Sequence, residues 1–261
     1  MPFLEDDSRK IYYKLTGAGP PLVLIHGMAL DHRIWHDLPE FLAREYQVLT
    51  YDLRGHGQSF APETGYSYRE HVNDLKALLA ELKFDRVNIV AHSLGGAVAI
   101  KYALQMPNRV RNLVLAAPHV VGYADYSDWP DIYRTARLID IDQARISWET
   151  FRLFRNLKKG SPEKELFDCC LKNFPGRMWT DPKAGRYMDE SDLKILDRLE
   201  VAVLLLCGRD DHDFLPLAKI INARVQYGSL FEIPDCSHMI YLEKPEIFKR
   251  ELKAFFKMPG A

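Results

Sequence analysis

Residues of the types needed for nucleophilic catalysis occur in separate parts of this chain. Ser93 lies between residues 87–91, an apolar and β-branched run typical of a buried strand, and residues 94–100, a small-residue run that predicts a helix. A serine in a strand–tight turn–helix setting with small second neighbours is typical of a nucleophile elbow, which projects the hydroxyl from the fold. Here the segment reads Ala91-His92-Ser93-Leu94-Gly95, with alanine in place of the usual first glycine.

A serine of this kind needs a general base and an acid that orients the base. His238 stands directly after a strand-like run, and a histidine is suited to move a proton near neutral pH. Asp210, Asp211 and Asp213 follow another strand-like run, and these residues alone leave the choice of acid open. A more distant alternative for the acid is Asp125. In each case the chain order is serine, aspartate, histidine.

The segments that must position these residues predict an α/β fold. Strand-like runs occur at residues 22–25, 47–51, 87–90, 113–116, 203–206 and 230–233, and most of them are nearly continuously apolar, as expected for strands covered on both faces. Apolar residues recur at helical spacing at Val72, Leu75, Leu78, Leu79 and Leu82, and again at Phe248, Leu252 and Phe255. This alternation predicts a mostly parallel twisted sheet of about eight strands with helices on both faces. Residues 10–15 alternate in polarity and predict an antiparallel edge strand or hairpin.

The strand–helix alternation is interrupted between residues 122 and 190. This stretch holds three of the four tryptophans, Trp129, Trp148 and Trp179, together with several helical fragments and no obvious strand. We therefore expect one α/β core in two parts, residues 1–121 and 191–261, with an inserted helical cap at residues 122–190.

Composition and charge argue against several other classes of protein. The formal net charge of −1 and the lack of a long basic run make nucleic acid an unexpected partner. No apolar run approaches the ~20 residues of a membrane span, and the acidic start of the chain lacks the apolar stretch of a signal peptide. We therefore expect a cytoplasmic protein without a membrane partner. The four cysteines, Cys169, Cys170, Cys207 and Cys236, have no zinc-like spacing and should be buried or half-buried free thiols.

Each candidate residue also has a plainer interpretation. Ser93 could be an exposed turn serine, and His238 could be a loop histidine that caps the following helix. His26 and His92 flank tight turns, in which a ring can hydrogen-bond neighbouring backbone, and His56 lies in a glycine-rich loop. For these three histidines we expect a structural role rather than a catalytic one.

Taken in order, the motifs resemble those of the α/β-hydrolase superfamily. More narrowly, they are similar to the cap-bearing small esterases, lactonases, perhydrolases and C–C bond hydrolases. The resemblance spans residues 10–256 and rests on His26-Gly27, Asp52-Leu53-Arg54-Gly55-His56-Gly57-Gln58-Ser59, Ala91-His92-Ser93-Leu94-Gly95-Gly96, residues 208–211, and Ser237-His238 followed by Glu243-Lys244-Pro245. The family's acid stands in a Gly-x-x-Asp pattern with a proline shortly after. Gly208 and Pro216 frame Asp211 in this way, so the resemblance favours Asp211 as the acid.

The resemblance implies an α/β-hydrolase fold and a carboxylic ester hydrolase without cofactor or metal. Ser93 would be the nucleophile, Asp211 the acid and His238 the base. Backbone N–H groups of Met28 and Leu94 would form the oxyanion hole, the second of them at the positive end of a helix dipole. The expected partner is a small ester-type substrate.

The substrate pocket is the least determined part of the expected site. Trp35, Trp129 and Trp148 could line an apolar acyl pocket, and packing of cap against core is an equal alternative. One rival function is another reaction on the same triad: lactone opening, peracid formation or hydrolytic C–C cleavage. The other is a non-catalytic ligand-binding protein on a hydrolase scaffold.

Overall fold

The computed structural model describes residues 3–6, 8–123, 131–181 and 191–258, and within them the chain forms one eight-stranded sheet. The strands are β1 (Phe3–Asp6), β2 (Arg9–Thr16), β3 (Pro21–Ile25), β4 (Gln47–Tyr51), β5 (Val87–His92), β6 (Val110–Ala116), β7 (Ala202–Gly208) and β8 (Gly228–Ile233). Their order across the sheet is β1-β2-β4-β3-β5-β6-β7-β8. The pairs β1–β2 and β2–β4 are antiparallel, and all other pairs are parallel. The predicted mostly parallel sheet is therefore confirmed.

The described helices follow the predicted alternation with the strands. They are α1 (Leu38–Leu42), α2 (Tyr68–Glu81), α3 (Leu94–Gln105), α4 (Ile132–Leu138), α5 (Ile141–Glu149), α6 (Pro162–Asn173), α7 (Arg177–Thr180), α8 (Leu215–Arg224), α9 (Ile240–Glu243) and α10 (Pro245–Phe256). Short 3₁₀ turns occupy His32–Trp35, Pro107–Arg109, Arg152–Phe154 and Asp192–Arg198. Nowhere in the described ranges is a helix both long and apolar enough to cross a bilayer.

The hydrophobic core lies on the central strands, where the near-continuous apolar runs occur. Val23 of β3 pairs with Ile89 of β5, and Leu115 of β6 pairs with Leu205 of β7; all four side chains are fully buried. Helices cover these strands with the faces that the apolar spacing predicts. On α2 the buried residues include Val72, Leu75, Leu78 and Leu79, and on α10 they are Phe248, Leu252 and Phe255.

At the periphery, one expectation holds in one of its two forms and another is wrong. Residues 10–15 lie in β2, which forms an antiparallel hairpin with β1 as one alternative predicted, but β2 is not the edge strand because Phe3–Asp6 pairs outside it. The acidic residues of β1 hid its strand character, since their side chains are solvent-exposed at the sheet edge. Cys169 is exposed rather than buried or half-buried, because it lies on the outer face of the helix whose inner face carries Cys170.

The described residues between β6 and β7 include α4 to α7, and residues 131–181 are called the cap segment here. Cap side chains contact loops that follow the carboxyl ends of β3, β4 and β7. Trp179 reaches Met28, Phe174 packs on His56, and Arg152 binds Asp213. The cap segment therefore covers the edge of the sheet at which an α/β fold presents its functional loops.

Candidate active site

Ser93 occupies a strained turn between β5 and α3. Its backbone has φ 51° and ψ −115°, a conformation that costs a residue other than glycine about 1–3 kcal/mol. The turn is fixed on both sides, because Ser93 N donates to Ala116 O at 3.0 Å and Ser93 O accepts from Gly96 N and His119 N, both at 2.9 Å. The half-buried serine side chain thus leaves the sheet at the tip of a rigid elbow.

The histidine–aspartate pair follows β7 and β8. Nδ1 of His238 lies 2.7 Å from Oδ2 of Asp211, and both residues are buried. The other carboxylate oxygen of Asp211 accepts from Phe214 N at 3.0 Å, and the Phe214 ring packs on the imidazole at 4.4 Å. A carboxylate on Nδ1 fixes the proton there, so Nε2 is left as the atom that can accept a proton.

The two loops that carry this pair are locked together by a close backbone approach. A Cβ on Gly208 would lie 2.1 Å from Cys236 O and 2.3 Å from Ser237 O, which only glycine avoids. Across the same contact, Asp210 N donates to Cys236 O at 2.9 Å. The positions of the acid and the histidine are therefore set by one backbone junction.

His92 joins the histidine loop to the elbow. Its Nε2 lies 3.2 Å from His238 O, and the two imidazole centroids are 4.7 Å apart. Tyr241 Oη lies 3.3 Å from the other ring nitrogen of His92. Burial, followed by the charge of His238, lowers the pKa of His92 well below its ordinary value. A neutral ring has one donor and one acceptor, which fits a donor to the carbonyl and an acceptor for the tyrosine hydroxyl.

In the described part of the chain, no hydrogen bond joins the Ser93 hydroxyl to His238. Catalytic hydrogen bonds are often long in ligand-free structures and tighten when substrate binds. What is in place is the packing of the His238 loop on His92, the residue next to Ser93.

Two backbone donors lie beside the elbow. A Cβ on Gly27 would lie 3.2 Å from Ser93 Cβ and 2.7 Å from His92 Nδ1, so the loop after β3 rests against the elbow and Met28 follows at once. Within the described residues, neither Met28 N nor Leu94 N donates a hydrogen bond to protein. Unpaired amides at such a turn are what an oxyanion hole requires.

A family model described as "alpha/beta hydrolase fold" matches residues 20–152, about half of the chain. The chain belongs to the α/β-hydrolase family. The matched residues include the elbow and the loop after β3, and therefore both Ser93 and Met28. The expected resemblance is confirmed, and hydrolase chemistry is the family's common activity.

Relatives of this α/β-hydrolase include a pimeloyl-acyl-carrier-protein methyl ester esterase of Nitrosomonas europaea. It is 30% identical over 249 residues, which cover 91% of this chain and 96% of the esterase. An uncharacterised protein of Mycobacterium tuberculosis is 40% identical over 105 residues, but these cover 40% of this chain and 31% of that protein. Among solved structures, Est816, described as an N-acyl homoserine lactone degrading enzyme, matches with a TM-score of 0.83 and 27% identity, over 97% of this chain and all of that one.

The other histidines near the site of this α/β-hydrolase bond to backbone. His26 Nε2 accepts from Leu53 N at 3.0 Å, and His56 Nε2 accepts from Ala29 N at 3.1 Å. Each ring uses its second nitrogen on a backbone carbonyl. Burial lowers the pKa of His56 to about 3, so this ring is neutral at physiological pH. Both rings thus hold the loops after β3 and β4 against each other.

Asp31, His32 and Asp52 bring potential metal-ligand atoms within 4.8 Å of one another. All four carboxylate oxygens already accept hydrogen bonds: those of Asp31 from Arg33, and those of Asp52 from His32 and from Gln58 N. Burial would raise the pKa of Asp31, but the hydrogen bonds and charge of Arg33 outweigh it and lower the pKa. This arrangement is a brace for the loop after β4, and a cation there would have to displace the guanidinium.

Three cap-segment residues, Phe154, Trp148 and Trp179, form an aromatic arc from the histidine to the loop after β3. The ring centroid of Phe154 lies 6.2 Å from that of His238 and 5.4 Å from that of Trp148. The centroids of Trp148 and Trp179 are 6.2 Å apart. Trp179 Nε1 then donates to Met28 Sδ at 3.3 Å. The arc is an apolar wall that joins the side of the base to the side of the oxyanion donors.

Of the tryptophans expected in a pocket, Trp148 lies in the aromatic arc. Trp35 is buried, and its ring centroid lies 4.6 Å from that of Tyr241, the residue whose hydroxyl contacts His92. Trp129 lies outside the described residues. Helical periodicity does not show which aromatic residue of the cap faces the core, so the sequence did not indicate Phe154 or Trp179 as pocket residues.

The three competing aspartates have different partners. Asp213 binds Arg152 of the cap segment through both oxygens, at 2.5 and 2.9 Å, and Asp210 O accepts from Arg155 at 3.0 Å. Of the three, Asp211 alone contacts His238. The distant alternative, residue 125, lies outside the described residues.

Proposed function

We propose that this α/β-hydrolase is a serine hydrolase that cleaves small carboxylic esters through an acyl-enzyme intermediate. The observation that carries the proposal is the 2.7 Å contact between Asp211 and His238, in a loop packed on the residue next to the strained Ser93. Nucleophile, base and orienting acid are the three parts that such chemistry needs.

In the first half of the reaction, Ser93 Oγ attacks the ester carbonyl while Nε2 of His238 takes the hydroxyl proton. The new oxyanion accepts hydrogen bonds from the Met28 and Leu94 amides, which have no protein acceptor among the described residues. Asp211 keeps the Nδ1 proton in place and stabilises the imidazolium. His238 then gives its Nε2 proton to the departing alkoxide, and the acyl group stays on Ser93.

In the second half, a water molecule attacks the acyl carbonyl and His238 Nε2 takes one of its protons. The tetrahedral intermediate uses the same two amides. Collapse breaks the bond to Ser93, which recovers its proton from the imidazolium and releases the carboxylic acid. No cofactor or metal takes part in these steps.

The aromatic arc supports an uncharged, apolar acyl group as the preferred substrate. Phe154, Trp148 and Trp179 present rings rather than charges between His238 and Met28. Similarity to an esterase over 91% of the chain supports the same reaction class. Apolar walls discriminate weakly between related chains, at about 1–3 kcal/mol per methylene, so a family of short esters should be accepted.

Lactone hydrolysis is a second candidate, because Est816 matches over 97% of the chain and is described as degrading a lactone. A lactone is a cyclic ester, and the proposed steps apply to it unchanged, with the alkoxide still tethered to the acyl group. Cytoplasmic location and a small-molecule partner remain predictions.

The test is the intact mass of the protein after incubation with a small fluorophosphonate, beside Ser93→Ala. We expect one adduct on the wild type and none on the variant, followed by turnover of p-nitrophenyl esters from acetate to octanoate and of simple lactones. Absence of both adduct and turnover on folded wild type would overturn the proposal in favour of a ligand-binding protein.

A further inference from the structure

A second carboxylate binds the loop that carries the proposed base. It belongs to a residue that follows His238 in the chain, whereas Asp211 precedes it. Glu243 is the last residue of α9, and its side chain turns back to the loop that carries His238. Oε2 accepts from Ser237 N at 2.7 Å, and Oε1 accepts from Met239 N at 3.0 Å. These N–H groups belong to the residues immediately before and after His238, so one carboxylate holds the backbone on both sides of the histidine.

The same carboxylate is bound by the cap segment. Asn156 Nδ2 donates to Oε2 of Glu243 at 2.9 Å. Close by, Ser237 Oγ donates to Leu153 O at 3.2 Å. Residues 153–156 of the cap segment therefore bind the His238 loop directly and also through the glutamate.

Both oxygens of Glu243 must be acceptors, because each faces a backbone N–H. Hydrogen bonds from backbone amides to a carboxylate are shorter and stronger than neutral ones. An isosteric amide can accept at one oxygen only and would turn its NH₂ group toward the other amide. The nearby Cys236 thiol adds no second anion, because burial and then the Glu243 charge raise its pKa.

His92 holds the same stretch of backbone from the opposite side. The peptide group that includes Met239 N also includes His238 O, which lies 3.2 Å from His92 Nε2. One peptide group is therefore hydrogen-bonded at its N–H by Glu243 and contacted at its carbonyl by His92, the residue before Ser93. A shift of about 1 Å at a catalytic group can cost about 100-fold in rate. Contacts that fix this peptide group should therefore affect the rate by fixing the position of His238.

We propose that Glu243 is a positioning residue for the base, and that Asn156 makes the alignment of His238 depend on a seated cap segment. The inference rests on the proposed function, since it takes His238 as the base. It goes further in assigning to a residue outside the triad the geometry of the histidine, and to the cap segment a share in that geometry besides its wall of aromatic rings.

The test compares Glu243→Gln with Glu246→Gln, a matched change at a glutamate whose side chain is 86% exposed and bonds Lys249 at 3.3 Å. For Glu243→Gln we expect kcat for p-nitrophenyl butyrate to fall about 10- to 100-fold with KM within about threefold, at temperatures where the variant is fully folded. Fluorophosphonate labelling should slow in parallel. Glu246→Gln should match the wild type. Asn156→Ala should lose less, about three- to tenfold, because both amides keep their acceptor.

A proton NMR measurement separates this inference from the proposed function. The Nδ1 proton of a histidine bound to a carboxylate gives a far-downfield resonance, which Asp211→Asn identifies. We expect it to broaden or disappear in Glu243→Gln and to persist in Glu246→Gln, whether or not the wild type hydrolyses esters. An unchanged resonance together with unchanged labelling and kcat in folded Glu243→Gln would overturn the inference. An unlabelled, inactive wild type would overturn the proposed function, and the resonance would then still show whether Glu243 positions the His238 ring against Asp211.

Discussion

The backbone of Gly208, at the end of β7, lies so close to Cys236 that a Cβ on the glycine would be 2.1 Å from the cysteine carbonyl oxygen. The first residue lies just before Asp211 and the second just before His238. Their contact therefore determines how far apart the acid and the base can be.

Gly208→Ala should push the two loops apart and weaken the contact between Asp211 and His238. We expect kcat/KM for short esters to fall about 10- to 100-fold, since small displacements of catalytic groups are costly. The matched control is Gly160→Ala, because a Cβ there meets nothing within 4 Å although φ is +78°. That variant should lose about 1 kcal/mol of stability and keep its kcat/KM. Equal activity of the two variants at 15 °C would contradict the argument.

The three aspartates after β7 should differ sharply when each is changed to asparagine. Asp211→Asn should keep the fold intact but hold His238 in the wrong tautomer. We therefore expect kcat to fall about 10³- to 10⁴-fold. Asp213→Asn weakens the bond to Arg152 at the cap segment, and Asp210→Asn leaves its carbonyl contact intact. Both should retain kcat within about threefold, as expected for partly exposed pairs. A comparable loss in Asp213→Asn would show that the acid has been misassigned.

The strained elbow makes a prediction about stability that is opposite to the usual rule. Ser93→Gly should be more stable than Ser93→Ala by about 1 kcal/mol, because φ of 51° with ψ of −115° is accessible to glycine without strain. Both variants should be inactive. At Ser147, inside α5, the order should reverse, since alanine is the better helix former by about 1 kcal/mol. Urea denaturation of the four variants checks this, and the same order at both sites would refute the strain.

His71 should lower stability in acid. Burial and then the charge of Arg54 hold its pKa well below the ordinary value, and both ring nitrogens lack a partner in the described residues. Below about pH 6.5 the unfolded chain binds a proton that the folded chain does not, so stability falls as pH falls, by up to about 1.4 kcal/mol per pH unit. His71→Leu removes this cost and the unpaired polar atoms.

We therefore expect His71→Leu to be more stable than wild type by about 1 kcal/mol at pH 7.5, with an advantage that widens at pH 5.5. Urea midpoints at the two pH values measure both quantities. His36→Gln, at an exposed histidine, serves as the control and should show neither effect. An advantage of the same size at both pH values would mean that the unpaired nitrogens, rather than proton binding, account for the gain.

Much of the core was predictable because its signals are local. The run at residues 203–206 lies in β7 (Ala202–Gly208), and the apolar spacing from Val72 to Leu79 marks the buried face of α2. Ser93, Asp211 and His238 could be singled out as candidates because each lies in the turn or loop that follows a predicted strand, although β8, before His238, is an exposed edge strand rather than a buried one. The choice of Asp211 needed the family pattern, since nothing local separates it from Asp213.

What could not be predicted depends on contacts between distant segments. Glu243 lies six residues after Ser237, but only the turn of α9 directs its carboxylate back to that amide. Trp179 reaches Met28 across 151 residues, and no periodicity in the cap signals such a contact. β1 was missed because a four-residue strand with two acids carries little apolar signal.

The cap segment lies between β6 and β7 in the sequence. These two strands are neighbours in the sheet, where Leu115 pairs with Leu205. Recombination between homologues could therefore exchange the whole insertion without disturbing strand order. Such a chimera would inherit the elbow and the histidine loop intact, and we expect it to keep its full rate only if the incoming piece supplies an amide donor at the place of Asn156 and a carbonyl at the place of Leu153. A replacement cap would thus have to keep two polar contacts with the His238 loop as well as supply the lining that selects the substrate.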